Sequence, residues 1–228
     1  MIKQLARSML ARVKRRLPRK RSFALNQLDL KLLPYLNFRN GYFVEAGAND
    51  GISQSNTLYF EKYMGWRGLL IEAIPALAEK CRRNRPLCVV ENCALVAFDY
   101  PSKTVEMRYC NLMSVVRGAL DNEEEHIQSG KQFLHENEDT YSIVVPARPL
   151  SEVLNQYEVK SVDFLSLDVE GYEEQVLKGI DFTQHLPSFV LIEVHRRDIV
   201  DSLIGKYYKI VTVLNVTDAY TDVLYQRK

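Results

Sequence analysis

The sequence predicts an α/β fold, a mainly parallel, doubly wound sheet that ends in a C-terminal antiparallel hairpin. Two observations carry this expectation. From Gly41 onward, strand-like apolar runs alternate with helix-like segments, and that rhythm yields a parallel sheet with helices on both faces. Two of the runs, Tyr42-Phe43-Val44-Glu45-Ala46-Gly47-Ala48-Asn49-Asp50-Gly51 and Val162-Asp163-Phe164-Leu165-Ser166-Leu167-Asp168-Val169-Glu170-Gly171, are apolar strands that reach a carboxylate and enter a glycine-containing loop. Open α/β sheets bind ligands at the carboxyl ends of their strands. Glu45, Glu72 and Asp168 are therefore expected along one rim, where a nucleoside cofactor can lie.

Strands are expected near 42–46, 68–72, 87–93, 162–168 and 188–194. Helices fit 55–64, 75–84, 149–157, 172–179 and 196–204, the first opening on the N-cap cluster Ser55-Asn56-Thr57. Residues 206–215 and 219–226 read as two successive strands, joined through the turn formers Asn215, Thr217 and Asp218. They form the expected hairpin at one sheet edge. Between about 99 and 148 the rhythm breaks. Strand-like pieces at 104–109 and 141–146 flank a polar stretch with Asp121, Glu123, Glu124, Glu125, Glu136, Glu138 and Asp139. Long excursions inside a domain are usually functional or disordered, so this insertion is either a cap over the site or a solvated loop.

The chain has 228 residues with 46% hydrophobic and 26% charged residues, enough for one α/β domain with a full core plus a short extension. The net charge of +1 hides an asymmetry: nine of the 30 bases and none of the 29 acids lie in residues 1–21, leaving 21 bases against 29 acids in residues 22–228. A body with that acidic excess argues against a nucleic-acid partner. Residues 1–21 read as a separate basic amphipathic unit. Ile2, Leu5, Met9, Leu10, Val13 and Leu17 recur at helical spacing among the bases, and Pro18 ends the pattern. Such a segment either binds an anionic membrane surface peripherally, docks on a partner, or is a solvated extension.

Cys81, Cys88, Cys93 and Cys110 show neither C-x-x-C pairing nor zinc-finger spacing, so they read as reduced, mostly buried thiols. No run of about 18 apolar residues occurs and the N-terminus lacks an apolar signal core, so the expected location is cytoplasmic, with the inner face of the membrane as the surface open to residues 1–21.

The loop Glu45-Ala46-Gly47-Ala48-Asn49-Asp50-Gly51 is not G-x-G-x-x-G. Asn49 stands where a dinucleotide fold wants its close-approach glycine, and Glu45 would repel a pyrophosphate. The acid suits a cationic amino-acid cofactor better. A plain strand–turn–helix connection would also account for the glycines. Glu72 ends the run Gly68-Leu69-Leu70-Ile71 and is placed to accept both hydroxyls of a ribose, although a strand-end acid can also be merely solvated. Asn92, in Glu91-Asn92-Cys93-Ala94, falls near the expected adenine position.

These segments, with Ser55-Asn56-Thr57-Leu58, Gly65-Trp66-Arg67-Gly68-Leu69-Leu70-Ile71-Glu72, Pro75 and Asp163 through Glu173, resemble the FkbM-type methyltransferases over about residues 40–215. The resemblance implies a Rossmann-like class I fold that uses S-adenosylmethionine to methylate a hydroxyl oxygen, often on a sugar, glycan or glycosylated metabolite. It implies that Glu45, Gly47 and Gly51 flank the methionine part of the cofactor, with Asn49 and Asp50 in the same loop. Glu72 would bind the ribose, and Asp168 would lie beside the sulfonium and the acceptor. A cationic cofactor complements such an acidic rim.

Transfer to an alcohol needs in-line alignment and removal of a proton. Asp168, Glu170, Glu193 and His195 are the candidates for that work, with His195 or Asp168 ranked as the base. Carboxylates with an imidazole also suit Mg²⁺ or Mn²⁺, so metal dependence stays open. A helix-start or surface histidine is the competing reading of His195. Tyr109, Phe133, Tyr141 and Tyr172 are candidates to stack on a sugar, or core residues. The competing functions are a nicotinamide-dependent oxidoreductase, which Asn49 and Glu45 disfavour, and a membrane-docked scaffold that retains the fold without catalysis. The sequence leaves the oligomeric state open.

Overall fold

A computed structural model describes residues 21–228, so the basic segment lies, apart from Arg21, outside the described residues. In chain order the elements are α1 (Leu28–Lys31), β1 (Tyr42–Ala46), α2 (Leu58–Met64), β2 (Arg67–Ile71), α3 (Pro75–Asn84), β3 (Val89–Glu91), β4 (Ala94–Leu95), β5 (Thr104–Tyr109) and β6 (Val115–Val116). There follow α4 (Glu123–Gly130), β7 (Tyr141–Arg148), α5 (Leu150–Gln156), β8 (Phe164–Leu167), α6 (Glu173–Lys178), β9 (Phe189–Val194), α7 (Arg197–Ile204), β10 (Tyr208–Val216) and β11 (Thr221–Arg227).

The main sheet runs β10-β11-β9-β8-β1-β2-β3. Its strands are parallel except β11, which is antiparallel to both neighbours. The expected hairpin thus exists, but β11 inserts beside β9 and leaves β10 as the edge. Side-chain alternation sorts the strands onto two cores. Val44, Ala46, Leu69, Ile71, Leu165 and Leu167 pack with α5, α6 and α7. Phe43, Leu70 and Phe164 face the other way, onto α1, α2 and α3. This is the doubly wound arrangement. The chain builds outward from β1 to β3, then returns to place β8 on the other side of β1. The strand order reverses there, and the crevice opens at the carboxyl ends of β1 and β8.

The insertion is ordered. β5 pairs antiparallel with both β6 and β7, β7 takes β4 as a parallel neighbour, and Val105, Met107, Val116 and Val145 form a small core with Ile74 and Leu77. The expected strand at 87–93 is shortened to β3, and β4 begins just beyond it in the second sheet. Asn92 breaks it by donating its amide to the carbonyls of Glu72 and Ala73, both at 2.8 Å. All four cysteines are free, and burial pushes the thiols of Cys81, Cys88 and Cys93 up to about 12. Among the described residues no helix is long and apolar enough to cross a membrane.

Candidate active site

A cavity of about 420 Å³ lies over the crevice, within the size range of small-molecule sites. Its floor is the loop after β1. Glu45 accepts hydrogen bonds from the Ser55 and Thr57 hydroxyls and from the Asn56 backbone N–H at 2.8 Å. Arg85, fully buried, lies 3.8 Å from Glu45, pairs with Glu61, and donates to the Gly51 carbonyl at 2.9 Å, to Ser55 at 3.2 Å and to Thr57 at 3.1 Å. Glu45 therefore lines the cavity yet spends most of its bonding capacity, and the charge facing it, on fastening the loop to α2.

The two glycines have different jobs. Gly47 has φ +82°, and a Cβ there would lie 1.8 Å from the Asp168 carbonyl oxygen. The position needs glycine because β1 and β8 converge on it. Gly51, at φ +79°, packs against Arg85 and Cys81 and does not line the cavity. Asp50 also turns away, accepting the N–H groups of Ile52 and Ser53 at 2.8 and 2.7 Å. Asn49 does line the cavity, in a left-handed conformation that asparagine tolerates. Its side chain reaches Asn111 of the insertion at 3.3 Å.

Glu72 sits at the end of β2 with its oxygens accepting the N–H groups of Asn49 and Ile74, both at 2.8 Å. Burial, opposed by hydrogen bonds from Ile74, Asn49 and Ala73, raises its pKa to about 7. Three backbone donors leave part of the carboxylate's acceptor capacity for a ribose hydroxyl. Ala73, Cys93, Ala94 and Leu95 supply an apolar slot beside it. Asn92, expected near adenine, lies outside the cavity lining and shapes the turn through the Glu72 and Ala73 carbonyls.

The other wall comes from the ends of β8 and β9. Glu170, Glu193 and His195 offer ligand atoms that all lie within 4.8 Å of one another. Glu170 holds a left-handed backbone, φ 52°, a strained conformation of the kind kept at functional sites. His195 Nδ1 is 3.7 Å from Glu173, the buried first residue of α6, and Nε2 is 3.9 Å from Glu193. From the insertion, His126 Nε2 comes within 3.6 Å of Glu170. Burial first, then mutual repulsion, raises the pKa of Asp168, Glu170 and Glu193 well above the carboxylate range. Burial pulls His195 down, but Glu173 and the charge of Asp168 outweigh it, so the imidazole sits above its ordinary value.

The cavity thus gathers Glu45, Gly47, Asn49, Glu72, Asp168, Glu170, Glu193 and His195, and leaves out Asp50, Gly51 and Asn92. Phe133, Tyr172 and Tyr220 also line it, whereas Tyr109 is buried against Glu138 and Tyr141 stacks on Tyr109 at 4.6 Å. Sequence reasoning passed over Arg85, Glu173, His126 and Asn56 as site residues. Asn56 lines the cavity, donates from Nδ2 to Ser166 at 3.0 Å, and holds its buried Oδ1 without a partner. An unsatisfied buried acceptor beside an acidic wall fits the ammonium of an amino-acid cofactor.

Residues 45–209 match the Methyltransferase FkbM domain family. The chain belongs to that family. The family is one of S-adenosylmethionine-dependent methyltransferases, which favours that cofactor over a nicotinamide. Among solved structures, the methyltransferase FkbM from Methylobacillus flagellatus KT is similar at 16% identity and TM-score 0.52, over 85% of this chain and 45% of that one. This FkbM-family chain therefore spans less than half the length of that protein. TrmK of M. capricolum, solved with S-adenosyl-homocysteine, is similar at 12% identity and TM-score 0.50, over 92% of this chain and 69% of that one. At such identities the likeness concerns the fold, which is that of the class I methyltransferases. Comparison with curated proteins finds no match.

Proposed function

We propose that this FkbM-family protein methylates a hydroxyl oxygen of a sugar, glycan or glycosylated metabolite. The observation that carries the reading is the wall of Asp168, Glu170, Glu193 and His195 in one cavity with Glu72 and Asn56. S-adenosylmethionine supplies an electrophilic methyl carbon on a cationic sulfur. Glu72 holds the ribose, Asn56 accepts from the ammonium, and Asp168 faces the positive sulfur. Bound there, the cofactor would supply the methyl group to the acceptor oxygen, and His195 would take the proton that this oxygen gives up. In the ligand-free site His195 is a counter-ion of Glu173 and Asp168. A cation beside Asp168 competes for that role and lowers the imidazole pKa, which readies it as a base. Phe133, Tyr172 and Tyr220 provide faces for a sugar ring.

A second reading concerns the same wall. Glu170, Glu193 and His195 form a donor set suited to Mg²⁺ or Mn²⁺, which would supply a Lewis acid for the acceptor oxygen.

The test is transfer of labelled methyl groups to a panel of sugars. His195→Ala is expected to lower turnover about 100- to 10,000-fold while leaving S-adenosylhomocysteine affinity nearly unchanged. Loss of activity with a chelator, restored by Mg²⁺ or Mn²⁺, selects the metal reading. Full activity in both experiments rejects both versions of the proton transfer, and absence of S-adenosylhomocysteine binding rejects the function.

A further inference from the structure

The point where the basic segment joins the domain is clamped, and it is clamped at the mouth of the cavity. Asp29 is fully buried and accepts the Ser22 hydroxyl, the Phe23 N–H at 2.7 Å and the Leu30 N–H at 2.8 Å. The Phe23 ring stacks on Tyr63 at 6.4 Å, with the Lys62 ammonium 4.9 Å from its centroid. Ala24 then bridges to Gln54. The next residue, Leu25, lines the cavity with Ser53 and Gln54 and is 43% exposed, while Ile52 on the same loop is 40% exposed. Leu25, four residues past the last base of a segment with nine bases and no acid, thus stands partly in water at the opening, and Ile52 is exposed on the loop that leads to Ser53.

We infer that this pole of the molecule seats on an anionic lipid surface, so that the cavity opens toward the bilayer and the acceptor is a sugar hydroxyl borne on a lipid. The acceptor clause rests on the methyltransferase reading; the seating does not. Bases are attracted to the surface within about one Debye length, and apolar side chains at the boundary add burial. The rest of the chain has 29 acids against 21 bases, so the attraction is concentrated at the basic segment. Asp29 holds Ser22 and Phe23, so the described chain begins at a fixed point beside the mouth.

The test uses the full chain and vesicles of phosphatidylcholine with about a third phosphatidylglycerol. Polarity-sensitive probes are placed on Ile52→Cys and, separately, on Lys160→Cys, an exposed position preceding the amino end of β8 and hence opposite the rim. The expected result is a blue shift at position 52 alone, reversed by salt and reduced about tenfold or more in vesicle affinity by a full-length variant with Arg12, Lys14, Arg15 and Arg16 all changed to Gln. That variant is expected to slow methylation of a vesicle-borne sugar and to leave the same sugar free in solution unaffected. Absence of vesicle binding, equal shifts at both probes, or undiminished binding by the four-residue variant overturns the seating. Equal loss with soluble and vesicle-borne sugars overturns the acceptor clause. Calorimetry with S-adenosylhomocysteine, without vesicles, reports separately on the methyltransferase reading.

Discussion

Arg85→Met keeps much of the side-chain volume and removes the guanidinium that faces Glu45 and Glu61. Both acids then stay buried without their cation, and the Gly51 carbonyl loses its donor. Breaking a buried ion pair from one side costs about 3–5 kcal/mol. In a domain of this size 1 kcal/mol corresponds to roughly 2–4 °C, so the melting temperature is expected to fall by roughly 6–20 °C. Urea unfolding followed through Trp66, the single tryptophan and fully buried, measures the loss directly. The double variant Arg85→Met/Glu45→Gln is expected to lose less than the sum of its parts, because it no longer strands a charge on Glu45. S-adenosylhomocysteine affinity is expected to fall in Arg85→Met as well, since the loop carrying Gly47, Asn49 and Asn56 is fastened through this network. A loss under about 1 kcal/mol, or strictly additive variants, would refute the view that Arg85 organises the loop.

Glu72→Ala is expected to weaken S-adenosylhomocysteine and adenosine alike by about 1–3 kcal/mol, whereas Asn56→Ala weakens only the ligand that carries the ammonium; calorimetry separates the two. Gly47→Ala places a Cβ 1.8 Å from the Asp168 carbonyl at a positive φ, so it is expected to yield little folded protein on expression, and a normally stable variant would contradict that geometry. For pH, Glu72 and Asp168 are raised to about 7 when folded, so the unfolded chain releases these protons first, near pH 4, and ligand-free stability falls as pH rises from about 4 to 7. Each group contributes on the order of 1.4 kcal/mol per pH unit across that window, to be read from urea midpoints, and a rise in stability over this range would contradict the assignment.

Much of the fold was legible because its signals are local. The helix expected at 75–84 is the observed α3 (Pro75–Asn84), and the carboxylates expected on one rim, Glu45, Glu72 and Asp168, do line one cavity. What escaped depends on distant partners. Arg85 reads as one more base at the end of a basic helix until folding brings it under Glu45. Gly51 and Asp50 share a loop with Asn49 and look like cofactor contacts, but a turn of a few residues points side chains in opposite directions. Asn92 looked like a strand residue because apolar residues flank it, and only the two carbonyls of Glu72 and Ala73 reveal why the strand stops. Asn56 read as a helix cap, and its unpaired oxygen becomes visible only with Ser166 beside it.

The acidic residues of this protein fall into two groups by what neutralises them. Glu45 and Glu61 face a buried guanidinium, and their negative charge is matched within the fold. Among the described residues, no arginine or lysine pairs with Asp168, Glu170 or Glu193. The imidazoles beside them are His195, whose pKa is raised, and His126, which burial holds below its ordinary value, so neither is a permanent cation. Burying like charges together disfavours ionisation, so this wall retains protons that a free carboxylate would release. A cation entering the cavity favours their loss. Binding of S-adenosylmethionine at pH 7 is therefore expected to release protons, and binding of adenosine, which carries no charge, is not. Calorimetry in two buffers of different ionisation enthalpy reads the proton count directly. Equal counts for the two ligands would mean that the sulfonium and ammonium do not meet this wall, and Asp168 would lose its place beside the reacting sulfur.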